Sequence, residues 1–405
     1  MIQLPDFALE AIERLERCGF SAYAVGGCVR DSLMEKTPAD WDLTTSALPS
    51  DILNIFSDCK TIPTGLKHGT VTVIMHGEKL EITTFRIDGA YTDSRRPDSV
   101  CFTDRLADDL SRRDFTICAM AYNPRTGIAD LFGGREDIER KLIRCVGDPE
   151  KRFCEDALRI MRALRFAAVF GFEIDKATSD AVLKCRGRLR SIAAERISSE
   201  LNKIILSADP SALLFKYRAV FAEIMPDICF DEIQPSAFEP VSGAELKLCT
   251  RLAVFFHCIC NAETAHKTMR KLKYDNKTLR RVSLILQNAD IRLTPCRTAL
   301  KQIMKCTGAD GLSEIISFRR AFAETDSQRQ LLDEAVRTVR SIISNGECFS
   351  LGTLAVRGSD LIDAGISEGR SVGAVLDRLL DSVIEGRCEN KRRELLSLAA
   401  EFKNL

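Results

Sequence analysis

The feature that most limits what this chain can fold into is a change of sequence period near Gly147. Upstream of it, β-branched runs such as Thr70 to Met75 (TVTVIM) and Lys79 to Ile87 (KLEITTFRI) read as strands, and Phe115 to Asn123 is a further candidate. From Pro149 onward the apolar residues recur at three- and four-residue spacing. Glu155 to Phe170 (EDALRIMRALRFAAVF) is the clearest case and reads as one helix. The chain is therefore expected to be α+β, with a mixed sheet-and-helix head followed by helices alone. At 405 residues it is too long for one core. Polar or proline-containing breaks near 206–211, 235–243 and 344–352 limit the helical modules. The predicted division is a head over 1–147, a neck over 148–206, a body over 207–343 and a tail over 344–405.

Charge does not announce a partner. Lys and Arg number 58, as do Asp and Glu, so an RNA ligand would need a locally basic surface. No apolar run approaches the length of a membrane span, and MIQLPDFALEAIERLERCGF at the start is an acidic amphipathic helix, not a signal peptide. The 16 cysteines include no C-x-x-C, so structural zinc spacing is absent. They read as small buried hydrophobes in a reducing cytoplasm.

The chemistry concentrates between Tyr23 and Thr45 (YAVGGCVRDSLMEKTPADWDLTT). A short apolar strand enters a Gly26-Gly27 turn, Val29-Arg30-Asp31 opens a helix, and Asp40 and Asp42 follow one residue apart. On an extended strand those two carboxylates project side by side from one face. They repel each other unless a cation sits between them, and Mg²⁺ is a hard cation that takes one or two carboxylates plus substrate phosphates. Free backbone N–H groups of the glycine turn can hold a triphosphate beside it. The local reading is metal-dependent attack on a nucleotide phosphate. Glu81, in EITTFR, is the candidate third carboxylate of such a site; otherwise it is an edge-strand glutamate facing water.

The stretch 23–45 resembles the first motif of the class II tRNA nucleotidyltransferase and bacterial poly(A) polymerase family, which shares a polymerase-β-like head. Asp109 to Asn123 (DLSRRDFTICAMAYN) resembles a second motif, keeping Arg112, Arg113, Asp114, Phe115 and Thr116 but placing Cys118 where the family usually has Asn. Arg113 and Asp114 together suit a phosphate and a ribose hydroxyl, or else pair with each other. Ala90 to Phe102, with Arg95, Arg96 and Pro97, resembles the family's mobile loop, which helps switch the enzyme from C to A addition. Asp130 to Gly134 resembles the turn linking head to neck, and Ala194 to Ile205 the motif closing the neck, where Glu195 and Arg196 stabilise the helix.

The resemblance also covers Glu155-Asp156-Ala157-Leu158-Arg159. Three residues apart on a helix, Asp156 and Arg159 point together. The carboxylate accepts from an exocyclic amino group and the guanidinium donates to a ring nitrogen or carbonyl. Cytosine and adenine satisfy both contacts; uracil and guanine oppose both. Arg162 and Arg165 serve phosphate contact or structural pairing. Lys267, Arg270, Lys271 and Lys273, in KTMRKLKYDNKTLRR, either meet tRNA phosphates or line a solvated helix face. Arg357 to Leu396 resembles the family's C-terminal module through Gly358, Asp360, Leu361, Gly365, Gly369, Gly373 and Asn390. Some relatives append a phosphohydrolase with a His-Asp pair. Here His257 precedes Cys258 and only His68, His76 and His266 remain, so no such activity is expected.

The resemblance implies a Mg²⁺-dependent enzyme that adds C, C and A to tRNA 3′ ends from CTP and ATP without a template. Asp40 and Asp42 would hold metal with Glu81 assisting, Gly26, Gly27, Arg30 and Arg113 would hold triphosphate and sugar, and Asp156 and Arg159 would read the base. The rivals are a poly(A) polymerase, from which Gly65 to Val73 (GLKHGTVTV) departs, an enzyme adding only C and C, which would lack the loop at 90–102, and a non-catalytic RNA-binding protein. Nothing in the sequence decides between monomer and homodimer.

Overall fold

A computed structural model describes residues 2–89 and 100–402, so the loop carrying Arg95, Arg96 and Pro97 lies outside the described residues. The chain divides into two compact units, 1–233 and 234–405.

The first unit is built on a seven-stranded mixed sheet. Its strands are β1 (Ala22–Val25), β2 (Asp42–Thr45), β3 (Lys60–Gly65), β4 (Thr70–Met75), β5 (Glu78–Thr84), β6 (Met120–Asn123) and β7 (Gly127–Asp130), in the order β3-β4-β5-β2-β1-β6-β7. Only β2 and β5 run parallel. Alternation fixes which face is which. Val71, Val73, Leu80, Ile82 and Leu43 are buried with Ala8, Ala11, Ile12 and Leu15 of helix α1 (Asp6–Arg17). The residues between them, Asp42, Thr44, Glu81 and Thr83, therefore share the opposite face, and that is where the site lies.

Sequence and structure part company at three places in this unit. The strand candidate 115–123 becomes a 3₁₀ turn (Thr116–Cys118) before β6 begins. Strand pairing does not stop at 147, because Glu173–Ile174 adds in parallel to Leu142–Ile143. The helix expected over 155–170 is two helices. After α2 (Gly27–Leu33) and α3 (Leu106–Ser111) come α4 (Pro149–Glu155) and α5 (Leu158–Phe170), with Asp156 extended between α4 and α5 at φ −139° and ψ 105°. The Asp156 carboxylate accepts the Leu158 N–H at 3.0 Å, so it caps the new helix and competes with continuation of the old one. The unit also contains α6 (Ala194–Ile205), which packs on α5.

The second unit is helical throughout the described residues: α7 (Leu248–Ile259), α8 (Ala262–Lys271), α9 (Asn276–Gln287), α10 (Arg297–Ala321), α11 (Asp326–Ser344), α12 (Gly358–Asp363), α13 (Arg370–Ile384) and α14 (Arg392–Glu401) are its main elements. Its apolar clusters include one around Leu300, Ile315 and Ile342 and one around Leu361, Leu379 and Leu395. In the last of these modules the matched polar residues are tied internally. Asp360 accepts from Arg392 at 2.8 Å and from the Arg357 N–H, while Asn390 bridges Ala355 N–H and the Thr353 carbonyl. No helix of the described residues is long and apolar enough to cross a membrane.

Candidate active site

The parallel register of β2 and β5 sets Asp42 beside Glu81. Asp40 stands two residues before β2 begins, not on an extended strand with Asp42. β1 ends at Val25 to enter the glycine turn, so β2 has no partner on that side beyond Leu43 and its chain is free to bend. Asp40 and Glu81 are still close enough to act on Asp42. Burial first, then the charges of Asp40 and Glu81, push the Asp42 carboxyl up from 3.8 to about 6, against a smaller opposing pull from Arg113.

Arg113 is the cation of this face. Its guanidinium pairs with buried Asp109 at 3.3 Å, and its Nε is buried with no hydrogen-bond partner among the described residues. Asp109 also accepts from Arg112 at 2.6 Å and from the Thr44 hydroxyl at 3.1 Å. Burial would raise the Asp109 carboxyl, but Arg112 and Arg113 outweigh that and hold it below the usual range. Asp109 is a buried anchor inside the D-L-S-R-R-D run that the sequence reading passed over.

Gly26 is held at φ 80°, and a Cβ there would stand 2.9 Å from the Arg113 guanidinium. Gly27 begins α2 without that strain, and its Cβ would meet Arg30 at an ordinary 3.6 Å. Gly26→Ala is therefore expected to cost about 1–2 kcal/mol in stability and to displace Arg113, raising KM for CTP, whereas Gly27→Ala changes little. Steady-state kinetics and thermal midpoints of the two variants check this.

Arg30 turns elsewhere. It pairs with Asp31 at 2.7 Å, donates to the Cys118 sulfur at 3.2 Å, and lies over the rings of Phe166 and Phe170. Burial pushes the Cys118 thiol up, so it stays protonated and serves Arg30 as a weak acceptor where the family has Asn. Arg30 and Arg165 line a 390 Å³ cavity with Lys36 and Lys203, next to Ala39.

Arg113 and Asp114 do not work as a pair. Asp114 faces away, accepts from Arg162 at 2.6 Å and from the Phe115 N–H at 2.9 Å, and is buried. They lie in the bend after α3, where Asp109 holds Arg113 and Arg162 holds Asp114, which separates them. Burial would raise the Asp114 carboxyl, but Arg162 and Arg159 hold it below the usual range. Arg162 and Arg165 both make structural pairs, Arg165 with Glu200 of α6 at 3.0 Å.

The break at Asp156 changes how Asp156 and Arg159, the pair expected to read the base, are presented. Asp156 is gripped by Arg196 at 2.9 Å, a role for Arg196 beyond stabilising its own helix. Arg159 is anchored on both sides, to Glu155 at 2.6 Å and to the Arg112 carbonyl at 3.0 Å. The pair is thus placed by α6 and by the Arg112 backbone, not by helical spacing. In the second unit Lys267, Arg270, Lys271 and Lys273 are all exposed, and Lys267 pairs with Glu263 at 2.6 Å.

Comparison with known proteins adds to this geometry. A profile described as the poly A polymerase head domain matches residues 22–144. One described as "Probable RNA and SrmB- binding site of polymerase A" matches 171–229, and one described as "tRNA nucleotidyltransferase domain 2 putative" matches 250–399. The CCA-adding enzyme of Leuconostoc mesenteroides is 35% identical over 99% of this chain and 98% of its own length. The chain belongs to the family of CCA-adding enzymes. The Levilactobacillus brevis CCA-adding enzyme is 34% identical over 98% of both chains. The crystal structure of the Bacillus stearothermophilus CCA-adding enzyme in complex with CTP superposes with a TM-score of 0.83 at 32% identity, covering 99% of this chain and 98% of that one. The chain is accordingly a template-independent tRNA nucleotidyltransferase with a polymerase head and a helical remainder.

Proposed function

We propose that Asp40, Asp42 and Glu81 form the reaction centre for addition of C, C and A to tRNA, with CTP and ATP as donors and pyrophosphate leaving. The observation that carries this reading is the crowding of Asp42 by Asp40 and Glu81 on one open sheet face, with the partly unsatisfied Arg113 opposite them.

Among the described residues no three His, Cys, Asp or Glu side chains stand together as a ready metal cage. Mg²⁺ keeps one or two carboxylates and fills its shell with water and phosphate. Asp40 and Asp42 would hold it, and when bound it would lower the pKa of the attacking 3′-hydroxyl and neutralise charge on the triphosphate. Glu81 sits beside Asp42 to assist. The Gly26 N–H is spent on the Met120 carbonyl at 3.1 Å, so within the turn it is Gly27, at the start of α2, whose N–H would meet phosphate, and Arg113 donates from a position fixed by Asp109. Arg30 and Arg165 are the guanidinium groups of the cavity beside Ala39 and would meet phosphate only there, while Arg162 is tied to Asp114. Asp156, steadied by Arg196, accepts from the exocyclic amino group of C or A, and Arg159 donates beside it. The head at 1–147 performs the chemistry, the neck at 148–206 reads the base, and Lys267, Arg270, Lys271 and Lys273 with the tail at 344–405 meet tRNA phosphates.

Incorporation on three tRNA transcripts, ending before CCA, after C and after CC, tests the reading. Completion of CCA on all three followed by arrest is the expected result. Arrest at CC, or long A tails on unrelated RNA, would reject it.

Metal binding is expected to depend on pH in one direction. With the Asp42 carboxyl at about 6, cation binding must release a proton below that pH and none above it. Mg²⁺ affinity should therefore fall, by up to about tenfold per unit, as pH drops below 6 and stay level between 7 and 8. Trp41, the one tryptophan in the sequence, lies between the two ligands, so a fluorescence titration can read it.

A further inference from the structure

His257, left without a role by the head and neck, opens onto a cleft of about 460 Å³ within the second unit. That volume lies in the range of small-ligand sites, roughly 300–1,000 Å³. The cleft lies between the end of α7, the segment after α9, and helices α10 and α11. Its aromatic wall is continuous. The His257 ring packs edge-on against Phe318 and Phe322, each 5.2 Å away, and those two rings are 5.1 Å apart. Leu331 lines the same cleft and remains exposed.

Polar groups with unspent hydrogen bonds converge on that wall. Asp290 and Arg292 line the cleft, are exposed, and have no hydrogen-bond or ion-pair partner among the described residues. Arg319 is set in place by donating to the Ala289 carbonyl at 2.6 Å. Gln328 accepts two backbone N–H groups through its carbonyl oxygen, which leaves its amide as a donor. Burial lowers the His257 pKa, so the ring is neutral near pH 7. The cleft therefore offers the ring faces of exposed His257 and half-buried Phe322, set at 73° to each other beside buried Phe318, with one carboxylate acceptor and two guanidinium donors.

We propose that this cleft is a second nucleotide site, binding a nucleobase with its phosphate. A base has a π-face for the aromatic wall, an amino-bearing base donates to Asp290, and a phosphate matches the forked donors of Arg292 and Arg319. A purely apolar ligand would leave those charges unused, and a lone phosphate would leave the rings unused. The same chemistry is available from a free nucleoside monophosphate or from an unstacked nucleotide of a bound RNA.

The test is photolabelling of the full-length protein with 8-azidoadenosine monophosphate in one arm and with a tRNA transcript carrying 8-azidoadenosine in the other, followed by peptide mapping. Labelling of peptides containing His257 or residues 318–332 is expected, competed by AMP or CMP. Arg292→Glu, a change at an exposed loop residue, should weaken it about tenfold by replacing attraction with repulsion. Phe322→Ala should weaken it also, with CCA incorporation on a minimal acceptor unchanged in both variants and Asp156→Ala leaving the cleft label intact. Labelling from free nucleotide identifies a metabolite site, and labelling from the transcript alone identifies an RNA nucleotide. Label confined to residues 1–233, or cleft label that neither variant reduces, overturns the proposal.

Discussion

Replacing Asp42 with asparagine is expected to abolish nucleotide incorporation and, in metal-free buffer near neutral pH, to raise the thermal stability of the protein. The two effects share one cause. The folded chain holds the Asp42 carboxyl at about 6 instead of 3.8, chiefly through burial and then through Asp40 and Glu81. A carboxyl that binds its proton more tightly when folded takes stability away as pH rises through the interval between those values. Above about pH 6 the full cost is present, and below the unfolded value it is gone. The size of the shift corresponds to about 1–3 kcal/mol once solvent screening is allowed for. Asparagine removes the charge and keeps the shape, so the midpoint should rise by a few degrees at pH 7.5 in EDTA and not at pH 4. Bound Mg²⁺ should erase the advantage, because the cation supplies in the wild type what asparagine does by neutrality. Activity should fall on the order of 10³-fold or more, since the metal's contribution to the transition state is worth several kcal/mol. Incorporation within tenfold of wild type, or a lower midpoint at pH 7.5 without metal, would remove Asp42 from the centre.

The second large effect is expected in nucleotide choice. Arg159→Ala should lower kcat/KM for CTP and ATP and, more tellingly, weaken the exclusion of UTP by about 10–100-fold, the discrimination carried by one well-placed bidentate contact. Arg196→Ala should act in the same direction but less, because Asp156 keeps its bond to the Leu158 N–H and loses only its anchor to α6. Competition assays with CTP and UTP on a transcript lacking CCA measure both. The structural role of Arg159, which ties Glu155 to the Arg112 carbonyl, predicts a lowered midpoint too, so the UTP-to-CTP ratio is the quantity that decides. A variant that rejects UTP as firmly as wild type would refute base reading by Arg159.

Local signals carried much of this site. A glycine turn followed by two aspartates at short spacing, and an alternating run with Glu81 on the other phase from Leu80 and Ile82, are properties of neighbouring residues, and periodicity reads them directly. The edges of that reading are physical. The helix 155–170 looked unbroken because Asp156 is compatible with helix in the middle of an apolar pattern. Its carboxylate instead caps the Leu158 N–H and is drawn off by Arg196, a partner 40 residues away that no local pattern reveals. Likewise Arg113 and Asp114 look like a working pair in sequence and are sent to opposite partners by Asp109 and Arg162.

The sequence by itself determined the class of protein, the sheet-bearing head and helical remainder, and the close spacing of Asp40 and Asp42 on which the proposed reaction centre rests. These follow from hydrophobic period, turn chemistry and residue types fixed within a few positions of each other. Only the tertiary structure decided that Asp42 lies in register with Glu81, that Asp109 locks Arg113 across from them, and that Arg196 aims Asp156. Charges act through space at distances set by strand pairing and helix packing, so their partners, and the pKa of Asp42 with them, exist only once the chain has closed on itself.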